Sequence, residues 1–97
     1  MKLVDQNTRN AWRRDLPLTI SSNTKIKRAG DTLQLFLHGN LIAEKDSYGN
    51  TRITDCGWGT SVTSRRLTAV ACERVSFSKG EFCLFRGEPI NNKWVKV

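Results

Sequence analysis

The residues LQLFLHGNLIAEK, at positions 33–45, predict a β-hairpin and therefore an antiparallel sheet. Leucine recurs at every second position over residues 33–37, which is the period of a strand. Gly39 and Asn40 follow as a tight-turn signal, because these residue types accept the positive φ angles of two-residue hairpin turns. Residues 41–45 are then predicted to form the returning strand.

The chain on the C-terminal side of this hairpin predicts one helix between further strands. Residues 51–56 are rich in β-branched side chains and predict a third strand. Thr60 or Thr63 is suited to cap a helix over about residues 63–73, since a side-chain oxygen can accept from the free amides of the first turn. Further strands are predicted near residues 75–77, 81–86 and 93–97. The order β-β-β-α-β-β-β indicates the α+β class: a small antiparallel sheet with one short helix packed on one face.

The N-terminal part of the chain is more polar, and it is interpreted as a basic arm. Residues 1–23 form this arm in the prediction, and residues 24–97 form a single domain. Pro17 would end any short helix over residues 5–15, because the residue before proline avoids the α region. The composition of the arm is compatible with mobility.

The net charge is the strongest functional signal in the sequence. Sixteen Lys and Arg against nine Asp and Glu leave a formal charge of +7. Residues 1–31 carry +4, residues 32–64 carry −1 and residues 65–97 carry +4. Such a distribution attracts polyanions, although the same charge also serves solubility alone.

Several functions have no support in the residue pattern. His38 is the only histidine, and no nucleophile, base and orienting group are spaced for catalysis. Cys56, Cys72 and Cys83 are widely spaced and lack the close pairs of a zinc site, so no metal and no cofactor are expected. Cys72 and Cys83 are instead predicted to be core residues. No signal peptide or membrane-spanning run is present, so reduced thiols and no membrane partner are expected.

A set of cations with one tryptophan forms the candidate contact surface. Basic groups neutralise phosphates and an indole stacks on unpaired bases, so nucleic acid is the first predicted partner. An acidic surface of a host or defence protein is the alternative, since Arg and Trp also anchor protein interfaces. The sequence leaves open a homodimer through the strand at residues 93–97. The candidate contact residues are Arg9, Trp12, Arg13, Arg14, Lys25, Lys27 and Arg28, with Arg65 and Arg66 at the predicted helix start.

Two motifs carry a resemblance to a group of small bacteriophage proteins. They are LHGNLIA at residues 37–43 and GWGT followed by TSRRL, at residues 57–60 and 63–67. These resemble a Gly-Asn-x-Ile-Ala hairpin and a Gly-Trp-x-Thr-x-Thr-x-x-Arg-Leu helix start. The likeness covers residues 33–97, and it departs at Thr68, where asparagine is expected. It implies a phage accessory protein in the host bacterial cytoplasm, and it implies no activity and no catalytic residue.

Overall fold

A computed structural model describes residues 1–57, 59–78 and 82–97 of the protein. Trp58 of the second motif, and residues 79–81 with the turn predicted there, lie outside the described residues. The α+β class with antiparallel sheets is confirmed, since every strand pair is antiparallel. The elements in chain order are α1 (Leu3–Arg13), β1 (Leu18–Thr19), β2 (Thr24–Ala29), β3 (Thr32–Leu37), β4 (Asn40–Lys45), β5 (Thr51–Ile53), α2 (Ser61–Ala71), β6 (Val75–Ser78), β7 (Phe82–Phe85), β8 (Glu88–Pro89) and β9 (Val95–Lys96).

The larger sheet has six strands in the order β1-β2-β3-β4-β5-β9, and the predicted hairpin lies at its centre as β3 and β4. Its turn is His38-Gly39, one residue earlier than predicted, because Leu37 pairs directly with Asn40. Both turn residues have positive φ, 51° and 80°, as the favoured two-residue hairpin turn requires. Alternate side chains of β3 are buried, so one face of the sheet belongs to the core.

Helix α2 confirms the predicted helix with shifted ends. Thr60 is the N-cap, and its Oγ1 accepts a hydrogen bond from the Thr63 amide at 3.1 Å. Leu67 and Val70 are buried against the sheet, as the apolar stripe predicts. The helix ends at Ala71 because Cys72 adopts the left-handed conformation of a C-cap, with φ 55°. Cys72 is therefore exposed, which corrects its prediction as a core residue, whereas Cys83 is buried.

The residues interpreted as an arm form α1, and α1 packs on α2 as part of the same domain. Ala11 and Trp12 are each only 3% exposed and belong to the hydrophobic core. Arg9 donates to the carbonyl oxygens of Thr68 and Ala69 in the last turn of α2. Because Ala11 and Trp12 are buried in the core, α1 is docked on the rest of the domain, and the arm prediction is corrected to a second helix.

The smaller sheet, β6-β7-β8, closes the core on the other side of α2. Val75, Cys83, Phe85 and Ile90 join the same buried cluster as the inner face of the larger sheet. Neither helix, at eleven residues each, is long or apolar enough to cross a bilayer, a statement that holds for the described ranges.

Candidate nucleic-acid interface

Two of the nine predicted contact residues are buried. The side chain of Arg66 is 7% exposed, and its Nη1 lies 2.6 Å from Oδ1 of Asp5. Its Nε donates to Thr24 Oγ1 at 3.0 Å. Trp12 is in the core with the Lys45 ammonium 5.4 Å from its ring centroid. Both residues hold helices in place, which corrects their prediction as surface contacts.

Two further predicted contact residues, Arg13 and Arg28, lie in a region of mixed charge. Arg13 and Arg28 line a depression of about 690 Å³ together with Asp15, Asp31 and Asp46. A hydrogen bond from Lys45, at 2.7 Å, lowers the pKa of Asp15, so this carboxyl is charged at neutral pH. Arg28 itself donates to the Asp15 carbonyl at 2.8 Å. Mixed charge of this kind weakens the attraction for a polyanion.

Lys25 and Lys27 lie on a different surface, the face of the larger sheet that the helices leave uncovered. In β2 they are exposed, while Ile26 between them and Thr24 before them are buried. Because side chains alternate across a strand, their register partners on β3, Phe36 and Gln34, point to the same side. This surface is called the outer sheet face, and its members are Lys25, Lys27, Gln34, Phe36, Leu41, Glu44, Arg52 and Lys96, with Trp94 packed over Arg52.

Register pairing arranges these side chains in a row that crosses the sheet. Lys27 pairs with Gln34, Gln34 with Glu44, Glu44 with Arg52 and Arg52 with Lys96. Neighbouring strands lie about 4.8 Å apart, so the row spans roughly 19 Å from β2 to β9. A chain of several nucleotides could therefore contact both ends of the row.

Cations and aromatic rings are adjacent at both ends of the outer sheet face. The Lys27 ammonium lies 5.4 Å from the ring centroid of Phe36, and the Arg52 guanidinium lies 4.8 Å from that of Trp94. Trp94 is 41% exposed, and Phe36 is half-buried. Each end of the face thus offers a positive charge beside a ring, which is the combination that binds phosphate and base together.

Among its strand residues, the outer sheet face itself carries four cations, Lys25, Lys27, Arg52 and Lys96, and one carboxylate, that of Glu44. Glu44 accepts from Arg52 Nη2 at 2.6 Å and from Nε at 3.0 Å, so its charge orients the guanidinium. At the Trp94 end, an open depression of about 460 Å³ is lined by Arg52, Trp94 and Lys96 and also by Asp46 and Asn50 of the β4–β5 turn. Its volume is within the range of small-ligand sites.

Sequence reasoning found Lys25 and Lys27 and missed the other members of the outer sheet face. The available signal was the alternation in the strands themselves. Once β3 buries its leucines, Phe36 must lie on the opposite face of the sheet. The sequence does not show that Arg52 and Lys96 lie in one row with Lys27, because β9 pairs with β5 across more than forty residues of chain. Arg14, exposed at the end of α1, and Arg65, half-buried on α2, lie outside this face.

The residues considered for chemistry have structural roles. His38 is exposed in the hairpin turn. Asp46 accepts from the amides of Tyr48 and Asn50, and the hydrogen bond from Asn50 holds the pKa of Asp46 below its usual value. Asp55 accepts from the amides of Gly57 and Asn92. Within residues 1–57, 59–78 and 82–97, no three His, Cys, Asp or Glu side chains are grouped as metal ligands would be.

The fold and the described surface together define a small α+β protein with an exposed, basic and aromatic sheet face. The chain belongs to the family described as Kyanoviridae Gp96 protein, which matches residues 1–96. This agrees with the predicted phage origin, and the match includes the N-terminal residues that the motif resemblance left out. Comparison with curated proteins and with solved structures returned no match.

Proposed function

We propose that this phage protein binds single-stranded nucleic acid on the outer sheet face, in the cytoplasm of the host. The observation that carries the proposal is the pairing of Lys27 with Phe36 and of Arg52 with Trp94 on one uncovered face. Cations would neutralise phosphates, and the rings would stack on unpaired bases. A broad sheet face does not enter a duplex groove as a helix does, and duplex bases are already stacked, which favours a single strand.

The test is fluorescence polarisation with labelled 20-nucleotide single-stranded DNA and RNA and the matching duplex, each at two salt concentrations. We expect tighter binding to single strands, with an affinity that falls steeply as salt rises. Binding that is insensitive to salt, or equal for duplex and single strand, would contradict the proposal.

Two matched charge variants locate the interface. Lys25→Ala with Lys27→Ala removes two cations from the outer sheet face, and Arg13→Ala with Arg14→Ala removes two from the end of α1. We expect only the first pair to weaken binding and to lower the salt slope, by about 1 for each phosphate that is no longer neutralised. A larger loss of affinity in the Arg13 and Arg14 variant would contradict this and would place the interface at the end of α1.

A pair of aromatic variants separates stacking from charge. Trp94→Leu removes a ring from the outer sheet face, whereas Tyr48→Leu removes a ring from the β4–β5 turn, where Tyr48 is 89% exposed. Loss of one stacked base costs about 1–3 kcal/mol, so Trp94→Leu should weaken binding by roughly five-fold or more. Tyr48→Leu should leave the affinity unchanged. Equal affinity of both variants would exclude stacking on Trp94.

A further inference from the structure

The open edge of β6 is a second surface with the features of a binding site. β6 is an outer strand of the smaller sheet, next to β7. The Ile90 amide donates to the Cys83 carbonyl, so the main-chain groups of Cys83 point toward β8. Phe77 is the register partner of Cys83, and its N–H and C=O therefore point away from β7, toward the open edge.

Val75 is the first residue of β6 whose main-chain groups point toward the open edge, and these groups already contact Thr68 of α2. Thr68 Oγ1 accepts from the Val75 amide at 2.9 Å, and its hydroxyl hydrogen is shared between the carbonyl oxygens of Ser64, at 2.8 Å, and Val75, at 3.2 Å. Phe77 is two residues further along β6, so its main-chain N–H and C=O are the next groups that point toward the open edge. Its side chain is 39% exposed. An extended peptide could pair with this position as an added strand.

The surface beside this edge is positively charged. An open groove of about 1020 Å³ runs between α1, α2 and β6, and its cations are Lys2, Arg65 and Arg74. Asp5 is the one carboxylate among its described lining residues, and it is buried in the ion pair with Arg66. Nε of Arg65 is buried and has no acceptor among the described residues, since Oδ2 of Asp5 lies 4.0 Å away.

We infer that this groove and edge bind an acidic, extended segment of a partner protein as an additional β-strand. Main-chain hydrogen bonds to Phe77 would hold the strand, carboxylates would pair with Arg65 and Arg74, and alternate apolar side chains would contact Phe77 and Met1. A second copy of this chain is disfavoured because its own β6 edge carries the same cations. This inference is independent of the outer sheet face.

The probe is a fluorescein-labelled eight-residue peptide in which glutamate and valine alternate, titrated against the full chain. Two isomers carry backbone N-methyl groups, one on the glutamate amides and the other on the valine amides. An added strand turns only one of these sets toward β6, so one isomer should lose at least ten-fold in affinity while the other binds normally. Equal affinity of both isomers would show that the peptide binds through its charge alone, without pairing to β6, and would overturn the inference.

Protein variants provide the reciprocal test. Phe77→Pro removes the outward N–H, and Phe77→Thr removes the ring while keeping that donor. Proline is tolerated at an edge position whose N–H faces solvent. We expect at least a ten-fold weaker affinity for Phe77→Pro than for Phe77→Thr, with thermal unfolding confirming that both are folded. Should Phe77→Pro fail to fold, the methylated isomers decide the question.

Charge reversal and competition identify the occupant. Arg74→Glu should weaken peptide binding at least five-fold, whereas Arg14→Glu, at the end of α1, should not. Unlabelled oligo-dT should fail to displace the peptide. Displacement by oligo-dT, or a dimer in light scattering that Phe77→Pro dissociates, would assign the edge to nucleic acid or to a second copy and overturn the inference.

Discussion

The guanidinium of Arg66 joins three elements through two hydrogen bonds. Arg66 lies on α2, and its partners are Asp5 on α1 and Thr24 on β2. Taking both charges out of water is costly, and the pair is tolerated because each charge compensates the other. Arg65, the preceding residue, has a side chain that is 37% exposed, so the two adjacent arginines differ in role because they lie on different faces of the helix.

Replacing Arg66 by methionine should therefore destabilise the fold strongly. The change leaves the Asp5 carboxylate buried without its partner, which costs about 3–5 kcal/mol. The measurement is the free energy of unfolding in urea, with Arg14→Met as the exposed control. Replacing both partners, Asp5→Leu with Arg66→Met, should recover part of the loss. A cost no larger than that of Arg14→Met would contradict the structural role.

The thiol of Cys83 should make stability depend on alkaline pH. Burial, with a smaller contribution from the charge of Asp55, raises the pKa of Cys83 to about 11 from 9.0. The folded state therefore holds this proton more tightly than the unfolded state, and the stabilisation is complete below pH 9. It is lost as the pH rises toward 11, by up to about 3 kcal/mol. Urea unfolding of the wild type and Cys83→Ala should show a steeper decline for the wild type, and parallel curves would contradict this.

At the scale of elements, the β3–β4 turn places a non-glycine residue in a conformation that favours asparagine or glycine. His38 has φ 51° and Gly39 has φ 80°. His38→Asn would create the Asn-Gly pair preferred in this turn and should stabilise the protein by up to about 1 kcal/mol. Gly39→Ala is the opposite test and should destabilise by about that amount or more. Unfolding in urea measures both, and a loss of stability in His38→Asn would contradict the turn assignment.

The sequence predicts β3 and α2 correctly because the residue patterns that identify these elements are also the patterns that stabilise them. Leucines at alternate positions identify β3, and the apolar spacing with the Thr60 cap identifies α2. The sequence does not predict that α1 packs on the domain, because its apolar residues are few and helix propensity alone does not show that Trp12 enters the core. The short strands β1 and β8 have two residues each and carry no local signal, whereas β9 lies within the strand predicted at residues 93–97.

At the scale of the whole molecule, α1 and the sheets should unfold together. Deleting residues 1–16 removes Trp12 from the core and leaves Arg66 without Asp5. We expect the truncated chain to lose its cooperative unfolding transition, as followed by circular dichroism in urea. A truncated chain as stable as the full one would restore the interpretation of residues 1–23 as an arm.

The α+β class, the central hairpin and α2 follow from the amino-acid sequence alone, because they depend on local periodicity within short stretches. The phage origin implied by the motif resemblance agrees with the family match. Which of the predicted contact residues are exposed at the surface depends on the tertiary contacts. Arg66 and Trp12 are buried, and Lys27 is brought into one row with Arg52 and Lys96. The physical reason is that strand register and helix docking join residues far apart in the chain, and a local pattern contains no record of those contacts.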